Sequence, residues 1–230
     1  MNLKGPVMMI ENASYTAKEI QGQIMRSEDL PWTGYELTYL SATGMLDSIV
    51  YFSSEREPEA REIISHDDSD RMSEIIIYEP YDSLKGRGRF VYNEKDQLVE
   101  FHGVNDDGTK ILADRVESMY KDLPKPYRNN RYDNTGSLDT YYIYTYNDNL
   151  ELIKDETYDI HDLLLSTTTY LYNDHGDIIR MESKYPSYNQ ESLYTFTYDY
   201  DKWGNWIKKT RTTDSTSFDI TERKITYYEK

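Results

Sequence analysis

YLYNDHGDII, residues 170–179, recurs 28 positions later as YDYDKWGNWI, residues 198–207. In both stretches two tyrosines one residue apart are followed by Asn or Asp, then by Gly three residues later, and then by a polar and two apolar residues. Asn or Asp opens a type I turn by bonding to the backbone ahead of it, and Gly tolerates the left-handed conformation that closes the turn. The stretch therefore predicts a strand, a tight turn with Gly176 or Gly204 at positive φ, and a second strand.

The same unit recurs along the chain, and we call its second tyrosine, or the residue in that place, the anchor. Polar turns follow the anchors His66, Tyr92, Val104, Tyr132, Tyr146, Tyr158, Tyr172 and Tyr200, with Gly136 in the turn after Tyr132 and a shortened turn after Tyr146. From Tyr132 to Tyr172, a longer step between anchors alternates with a shorter one. We attribute the alternation to different loops at the two edges of a sheet. Tyr120 fits the spacing, but YKDLPKP predicts an irregular loop there.

Alternation with a period of two predicts strands between these turns. In YTFTYDY, residues 194–200, aromatic residues alternate with Thr and Asp, and both Tyr and Thr favour strands. We expect an all-β protein with about fifteen strands, in one repeat domain over residues 1–230, degenerate in 1–65 and clearer in 66–230. The predicted architecture is a continuous antiparallel meander in a twisted or curved open sheet, with a partly closed shell or barrel as the alternative. Six tyrosines should share one face: Tyr144, Tyr146, Tyr170, Tyr172, Tyr198 and Tyr200.

Composition excludes several classes of partner and chemistry. The net charge is −16, from 42 acidic and 26 basic residues, so nucleic acid and anionic membrane surfaces are disfavoured. The chain has no Cys, which excludes disulfides and thiolate metal sites. No apolar run is long enough for membrane insertion, and residues 1–6 lack the features of a signal peptide. We expect no cofactor, and the compartment is left open.

The pattern Y-x-Y-[ND]-x-x-G-[ND]-[LI] resembles the YD repeats of the Rhs family, which are large bacterial surface and secreted proteins. It is also similar to short YD-repeat proteins of Gram-negative gut bacteria, often carried as lipoproteins. The resemblance covers about two thirds of the chain, with TYLYNDHGDII and YDYDKWGNWIKK matching well. It implies a cell-surface or periplasmic location and, in places, ligand or carbohydrate binding. In the large relatives the strands wind into a hollow shell around a cargo, and no catalytic residues carry over to this chain.

Candidate catalytic and metal sites have simpler explanations in the sequence. The acidic turns HDDSDR, NDDGTK and NDHGD lack the spacing of a calcium loop, and Asp and Asn belong there as turn formers. Four histidines are scattered without ligand spacing: His66, His102, His161 and His175. No G-x-S-x-G stretch occurs, and a carboxylate pair cannot be singled out among so many acids. We therefore expect no metal site and no enzyme.

Aromatic residues carry the functional hypothesis. Trp203 lies in a turn, where an exposed indole needs a cover; Trp206 and Tyr200 are its neighbours, and Trp32 lies near the irregular start. We expect a shallow surface that binds glycan or protein, in a non-catalytic extracytoplasmic binding or scaffold module. The alternatives are a cover by the chain's own loop YPSYNQES, a structural spacer, and a fragment of a toxin-associated shell or an enzyme that acts with a second chain.

Overall fold

The computed structural model describes residues 3–27, 31, 33–105, 107–121, 123–133, 135–213 and 217–229. These residues form seventeen strands and two single-turn 3₁₀ helices, Pro80–Asp82 and Pro186–Tyr188. None of them belongs to a helix long and apolar enough to cross a membrane. The strands are β1 (Val7–Ile20), β2 (Gln23–Arg26), β3 (Tyr35–Leu40), β4 (Leu46–Phe52), β5 (Pro58–His66), β6 (Met72–Glu79), β7 (Ser83–Tyr92), β8 (Leu98–Val104), β9 (Lys110–Met119), β10 (Arg128–Tyr132), β11 (Leu138–Tyr146), β12 (Leu152–Asp159), β13 (Leu164–Tyr172), β14 (Ile178–Tyr185), β15 (Gln190–Tyr200), β16 (Trp206–Thr213) and β17 (Ser217–Tyr227).

From β3 to β17 each strand pairs antiparallel with the next, as a meander does. Tyr142 lies opposite Thr157 in the β11–β12 pair, and Tyr198 lies opposite Lys209 in the β15–β16 pair. The all-β antiparallel fold predicted from the alternating residues is therefore confirmed. The irregular connection expected after Tyr120 is the segment 120–127 between β9 and β10.

The sheet closes on itself. Ile10 in β1 lies opposite Ile225 of β17 on one side and Thr38 of β3 on the other. The ring therefore contains sixteen strands, and β2 is a hairpin extension that pairs with the far end of β1. The open sheet expected from the sequence does not form, because β1 supplies both missing edge pairings. The barrel, which was the alternative, is the structure.

One type of hairpin loop joins most strands at both ends of the barrel. The Gly176 N–H donates to the Asn173 carbonyl at 3.0 Å, and the Asn173 N–H donates to the Asp177 carbonyl at 2.9 Å. The loop from Asp159 to Leu163 at the opposite end repeats these bonds. Different loops are therefore not the reason for the alternating longer and shorter steps between anchors; instead, alternate strands differ in length.

This length difference produces the stagger that closure requires. Each hairpin is shifted along the strand direction by about two residues relative to the next hairpin at the same end of the barrel. Around the sixteen strands these shifts add up to a stagger of roughly sixteen residues. An eight-stranded barrel with a stagger of eight has strands tilted by about 36°, and the ratio of stagger to strand number is the same here. The spacing of the repeat is therefore suited to a closed barrel rather than a flat sheet.

The two faces of the wall differ in burial and in composition. In β15, Tyr194, Phe196 and Tyr198 are half-buried, whereas the residues between them are exposed. The register continues this inner face through Met181 and Tyr170. Thr168 lies two residues before Tyr170 and so shares its face, and Tyr144 shares it as well because both Thr168 and Tyr144 lie opposite Asp155 of β12. The tyrosine pairs of alternate strands thus line the inside of the barrel.

The barrel interior is accessible to water. A typical globular monomer of 27.3 kDa has a solvent-accessible surface of about 11000 Å², whereas the solvent-accessible surface of this chain is 14268 Å². The densest packing lies at the seam between β17, β1 and β3, where Ile10 and Thr38 are fully buried and Val7 and Leu40 pack beside them. The closing strands therefore hold the best-packed part of a thin-walled structure.

Candidate functional site

A cavity of about 400 Å³ lies at the seam, where β1 changes its partner. On one edge β1 pairs with β3 up to Ala13 and with β2 only from Ala17 onward. Between these pairings the Ser14 N–H donates to the Thr33 hydroxyl at 3.2 Å instead of to a strand. Side chains of β1, β3, β4, β5, β16 and β17 line the cavity beside this fork. We call it the seam pocket.

Arg223 is the central cation of the seam pocket. Its guanidinium carbon lies 3.3 Å from the centre of the Trp206 ring, and its Nε–H donates to Asn12 Oδ1 at 3.0 Å. Stacking on the indole and one fixed hydrogen bond orient the guanidinium plane. Within the described part of the chain, no hydrogen bond or ion pair uses its two terminal nitrogens. Burial lowers the pKa of Arg223 to about 10, so the group stays charged at neutral pH.

Lys209 is a second cation of the same pocket. Its Nζ lies 5.4 Å from the centre of the Trp206 ring, and no carboxylate of the described residues forms an ion pair with it. Burial lowers the pKa of Lys209, and the nearby charges of Arg223 and Arg211 lower it further. Two cations therefore share one aromatic ring, and both keep donors that no group of the described residues uses.

The carboxylates of the pocket are arranged differently. Glu36 Oε1 accepts hydrogen bonds from Asn12 Nδ2 at 2.9 Å and from the Thr38 hydroxyl at 3.3 Å. Glu59 contributes a second carboxylate to the lining. The pocket therefore combines cationic donors with carboxylate acceptors around one aromatic ring, as in sites for polar organic molecules.

A smaller cavity of about 150 Å³ adjoins the seam pocket and shares Trp206 and Arg223 with it. Asn205, at its edge, is buried and holds the N-terminal segment in place. The Lys4 N–H donates to Asn205 Oδ1 at 2.7 Å, and Asn205 Nδ2 donates to the Lys4 carbonyl at 2.7 Å. These two bonds hold Lys4 beside the turn that precedes Trp206.

Trp203 lies in the turn, as its sequence position predicts, and 37% of it is exposed. Its ring lies 5.9 Å from the ring of Tyr227, and a Cβ on Gly5 would approach its edge to 3.1 Å. The N-terminal segment and β17 therefore cover one side of the indole. Trp32 lies outside the described residues.

Trp206 and Tyr200 lie opposite each other in the β15–β16 pair, but protein groups already engage both rings. Arg223 occupies one face of Trp206. Tyr200 stacks on His175 at 4.1 Å, donates to Asp177 Oδ2 at 2.8 Å and accepts from Asn173 Nδ2 at 2.8 Å. Of the three aromatic residues predicted as a binding surface, Trp206 alone lines the seam pocket, Tyr200 lies beside the smaller cavity, and Trp203 packs against Tyr227.

The turn residues satisfy the backbone of their own loops. Gly136, Gly176 and Gly204 have φ of 79°, 80° and 81°. Asp67, in the turn after the first anchor, accepts from the Ser69 and Arg71 N–H groups at 2.9 and 3.0 Å. Among the described residues, no group of three His, Asp or Glu side chains is arranged to hold a metal ion.

Sequence reasoning missed the cations of the seam pocket. Lys209 and Arg223 have no motif around them, and they lie on strands whose inner face is defined by register alone. One signal could have found them: Lys209 lies opposite Tyr198, a tyrosine of the inner row. Charged residues in register with the tyrosine rows point into the barrel.

Comparison with known proteins supports the fold and leaves the family open. No protein-family model and no curated protein matches the chain. A crystal structure of a porin-like protein from Bacteroides uniformis resembles the barrel with a TM-score of 0.62 and 11% identity, over 97% of this chain and 99% of that one. At this identity the likeness establishes the fold alone.

Two further structures match with lower scores. TcdB2-TccC3 without its hypervariable C-terminal region has a TM-score of 0.37 and 14% identity, over 95% of this chain and 11% of that one. A porin-like protein from Bacteroides vulgatus has a TM-score of 0.26 and 8% identity, over 97% and 99% of the two chains. The resemblance to YD repeats therefore depends on the repeat itself.

Proposed function

We propose that this barrel is a non-catalytic binding module whose ligand, a sugar-sized polar molecule, occupies the seam pocket. One observation carries the proposal: Arg223 and Lys209 direct donors that no described side chain uses into a half-enclosed cavity of about 400 Å³. Pockets for small molecules have this size and contain a few convergent polar groups beside an aromatic ring.

The arrangement of the carboxylates supports binding without a reaction. Glu36 accepts hydrogen bonds from Asn12 and Thr38, which hold it in the wall. The Ser14 and Thr221 hydroxyls bond to each other at 2.8 Å rather than to a general base. A nucleophile needs an activating base within hydrogen-bond reach, and we propose no such role for these groups.

The outer wall supports a water-facing module. Charged pairs lie along its strands, including Lys154–Glu156 at 3.0 Å and Arg180–Glu182 at 3.1 Å. A barrel embedded in a bilayer presents an apolar band to lipid, so we propose no lipid-embedded pore despite the porin-like name of a protein with the same fold. An extracytoplasmic location follows from the YD-repeat resemblance and belongs to this proposal.

Closure of the ring disfavours the shell-fragment alternative. A fragment of a larger shell would need free edges to pair with further strands, whereas β1 pairs with both β3 and β17. The match to TcdB2-TccC3 has too low a score to argue for such a role. A scaffold that binds another protein on its outer wall is the remaining rival.

A glycan array tests the proposal directly. The wild type and Arg223→Gln are compared with Lys224→Gln, which removes a cation from the next residue of the same strand on the outer, exposed side. We expect wild type and Lys224→Gln to bind the same glycans and Arg223→Gln to lose them. The proposal is wrong if no glycan binds wild type, and a protein partner captured equally by all three variants favours the scaffold.

A further inference from the structure

We propose that Lys209 and Arg223 form a subsite for the carboxylate of an acidic sugar, a hexuronic acid unit. This deepens the proposed binding function and depends on it. The carboxylate would lie against the two cations beside Trp206, and the sugar hydroxyls would face the carboxylates and hydroxyls of the seam pocket.

The unpaired state of the two cations is the first argument. Burying a charge is unfavourable unless an opposite charge or hydrogen bonds compensate it. Arg211 lies on the same inner wall and forms an ion pair with Asp219. Lys209 and Arg223 form no such ion pair among the described residues, in a chain with 42 acids. Glu36 and Asp177 attract Arg223, and Asp177 attracts Lys209, but neither carboxylate bonds directly to these cations. An anionic ligand would supply the direct partner.

The geometry of Arg223 favours a planar anion. Its Nε is engaged by Asn12, and stacking on Trp206 fixes the plane of the guanidinium group. The terminal nitrogens are then presented as a fork, the arrangement that binds a carboxylate through two parallel hydrogen bonds. Lys209 lies on the same ring and can neutralise the same carboxylate from its side.

The other charges of the cavity select the kind of anion. Glu36 and Glu59 line the same pocket, and Asp177 lies in the adjoining cavity. These carboxylates would repel a dianion such as phosphate, and an anion without hydroxyl groups would leave them unused. A monoanion that carries several hydroxyls satisfies both sets of groups. A hexuronic acid has this composition, and the cavity volume suits one or two sugar units.

Calorimetric titration with simple sugars tests the subsite. The ligands are glucuronate, galacturonate, the neutral sugars glucose and galactose, and inorganic phosphate. The variants are Lys209→Gln and Arg223→Gln, with Lys208→Gln and Lys224→Gln as controls, because each control is the neighbouring residue on the outer side of the same strand. Thermal melting establishes that each variant is folded, and Arg223→Lys replaces Arg223→Gln if the latter is not.

We expect wild type to bind a uronate about tenfold or more tightly than the neutral sugar, because the neutral sugar has no carboxylate to accept a charge-assisted hydrogen bond from the two cations. Lys209→Gln should lose this preference and Arg223→Gln should lose it too, whereas both controls should keep it. Equal affinity for neutral and acidic sugars would overturn the subsite and leave the binding function standing. Tighter binding of phosphate than of uronate would overturn the choice of a carboxylate. Absence of binding by every sugar would overturn the proposed function as well.

Discussion

At the scale of the residue, the tyrosine hydroxyl lets the anchor donate a hydrogen bond that Phe or Leu could not form. Tyr92, Tyr146 and Tyr172 each donate to a backbone carbonyl near the start of the preceding strand or just before it, at 2.7 to 2.9 Å. Tyr120 and Tyr198 make the same kind of bond. Each ring covers the inner wall while its hydroxyl ties two neighbouring strands together at the level of the turn.

Replacing Tyr146 with Phe should therefore lower stability without changing the shape of the wall. The substitution leaves the Pro126 carbonyl without its partner, and such a loss costs about 1–2 kcal/mol. Urea denaturation measures the change, and Tyr188→Phe is the control because Tyr188 is 75% exposed. Equal stability of the two variants would mean that the hydroxyl bond adds nothing.

Half-buried tyrosines, several of them anchors, make the barrel sensitive to alkaline pH. Burial raises the pKa of Tyr51 and of Tyr146 to about 12, and it raises the pKa of Tyr92 and Tyr172 as well. An unfolded chain releases these protons near the ordinary pKa of 10.0 while the folded chain retains them. Their contribution to stability is therefore fully present below pH 10 and is lost as pH rises toward 12.

We expect the free energy of unfolding to fall steeply between pH 10 and pH 12. The lowered pKa values of Lys209 and Arg223 act in the opposite direction, because loss of their buried charges relieves the folded state, but they are two groups against a larger number of tyrosines with raised pKa values. Urea titrations at a series of pH values measure the slope. A midpoint that stays constant from pH 9 to about pH 11 would contradict the argument.

Trp203→Ala separates packing from binding at the turn. Its ring contacts Gly5 and Tyr227, so its removal should lower stability by about 1–3 kcal/mol and leave sugar binding unchanged. Thermal melting and glycan binding are measured on the same sample, with Trp203→Phe as the conservative control. Loss of glycan binding with an unchanged melting temperature would support the binding role that its sequence position predicts for Trp203.

At the scale of the element, the hairpin loop is constant although its residues change. After Tyr146 the loop has its full length, and Leu150 replaces Gly at the left-handed position with φ of 61°. The turn that looked shortened in the sequence is therefore a complete turn with an unfavourable residue. A side chain with a Cβ resists this conformation by about 1–2 kcal/mol.

Leu150→Gly should stabilise the barrel by about 1 kcal/mol, whereas Gly204→Val should destabilise it by about 1–2 kcal/mol or more. Gly204 has φ of 81°, and a Cβ there would also approach Lys4 Nζ to 3.4 Å. Both changes are measured by urea denaturation against wild type. Destabilisation by Leu150→Gly would mean that packing of the leucine outweighs the strain of its backbone.

Strands and turns were predictable because both follow local patterns. Alternating Tyr and Thr define the strands, and Asn173 with Gly176 defines a turn without information from elsewhere in the chain. The stagger was visible as well, in the alternating longer and shorter steps between anchors, but its cause was assigned to loops. The length of alternate strands, which is the actual cause, produces the same spacing in the sequence.

At the scale of the whole molecule, closure and the seam pocket depend on contacts that local patterns do not contain. Val7 pairs with Tyr227 from the opposite end of the chain, and the repeat is weakest before His66. Arg223 and Asn12 come together only through this pairing. Local patterns therefore led to a hypothesis about an aromatic turn, whereas Lys209 and Arg223 of the seam pocket lie where the two ends of the chain meet.

Ile10→Ala tests the weight of the seam in the stability of the barrel. Ile10 is fully buried between β17 and β3, so its truncation should cost about 2–5 kcal/mol. Ile207→Ala removes the same atoms from a side chain that is 38% exposed, and it should cost far less. Urea denaturation gives the two values, and amide exchange should accelerate across β1 and β17 in Ile10→Ala alone. If both variants lose equal stability, the seam is no stronger than any other strand pair, and the ring closes through its stagger rather than through this core.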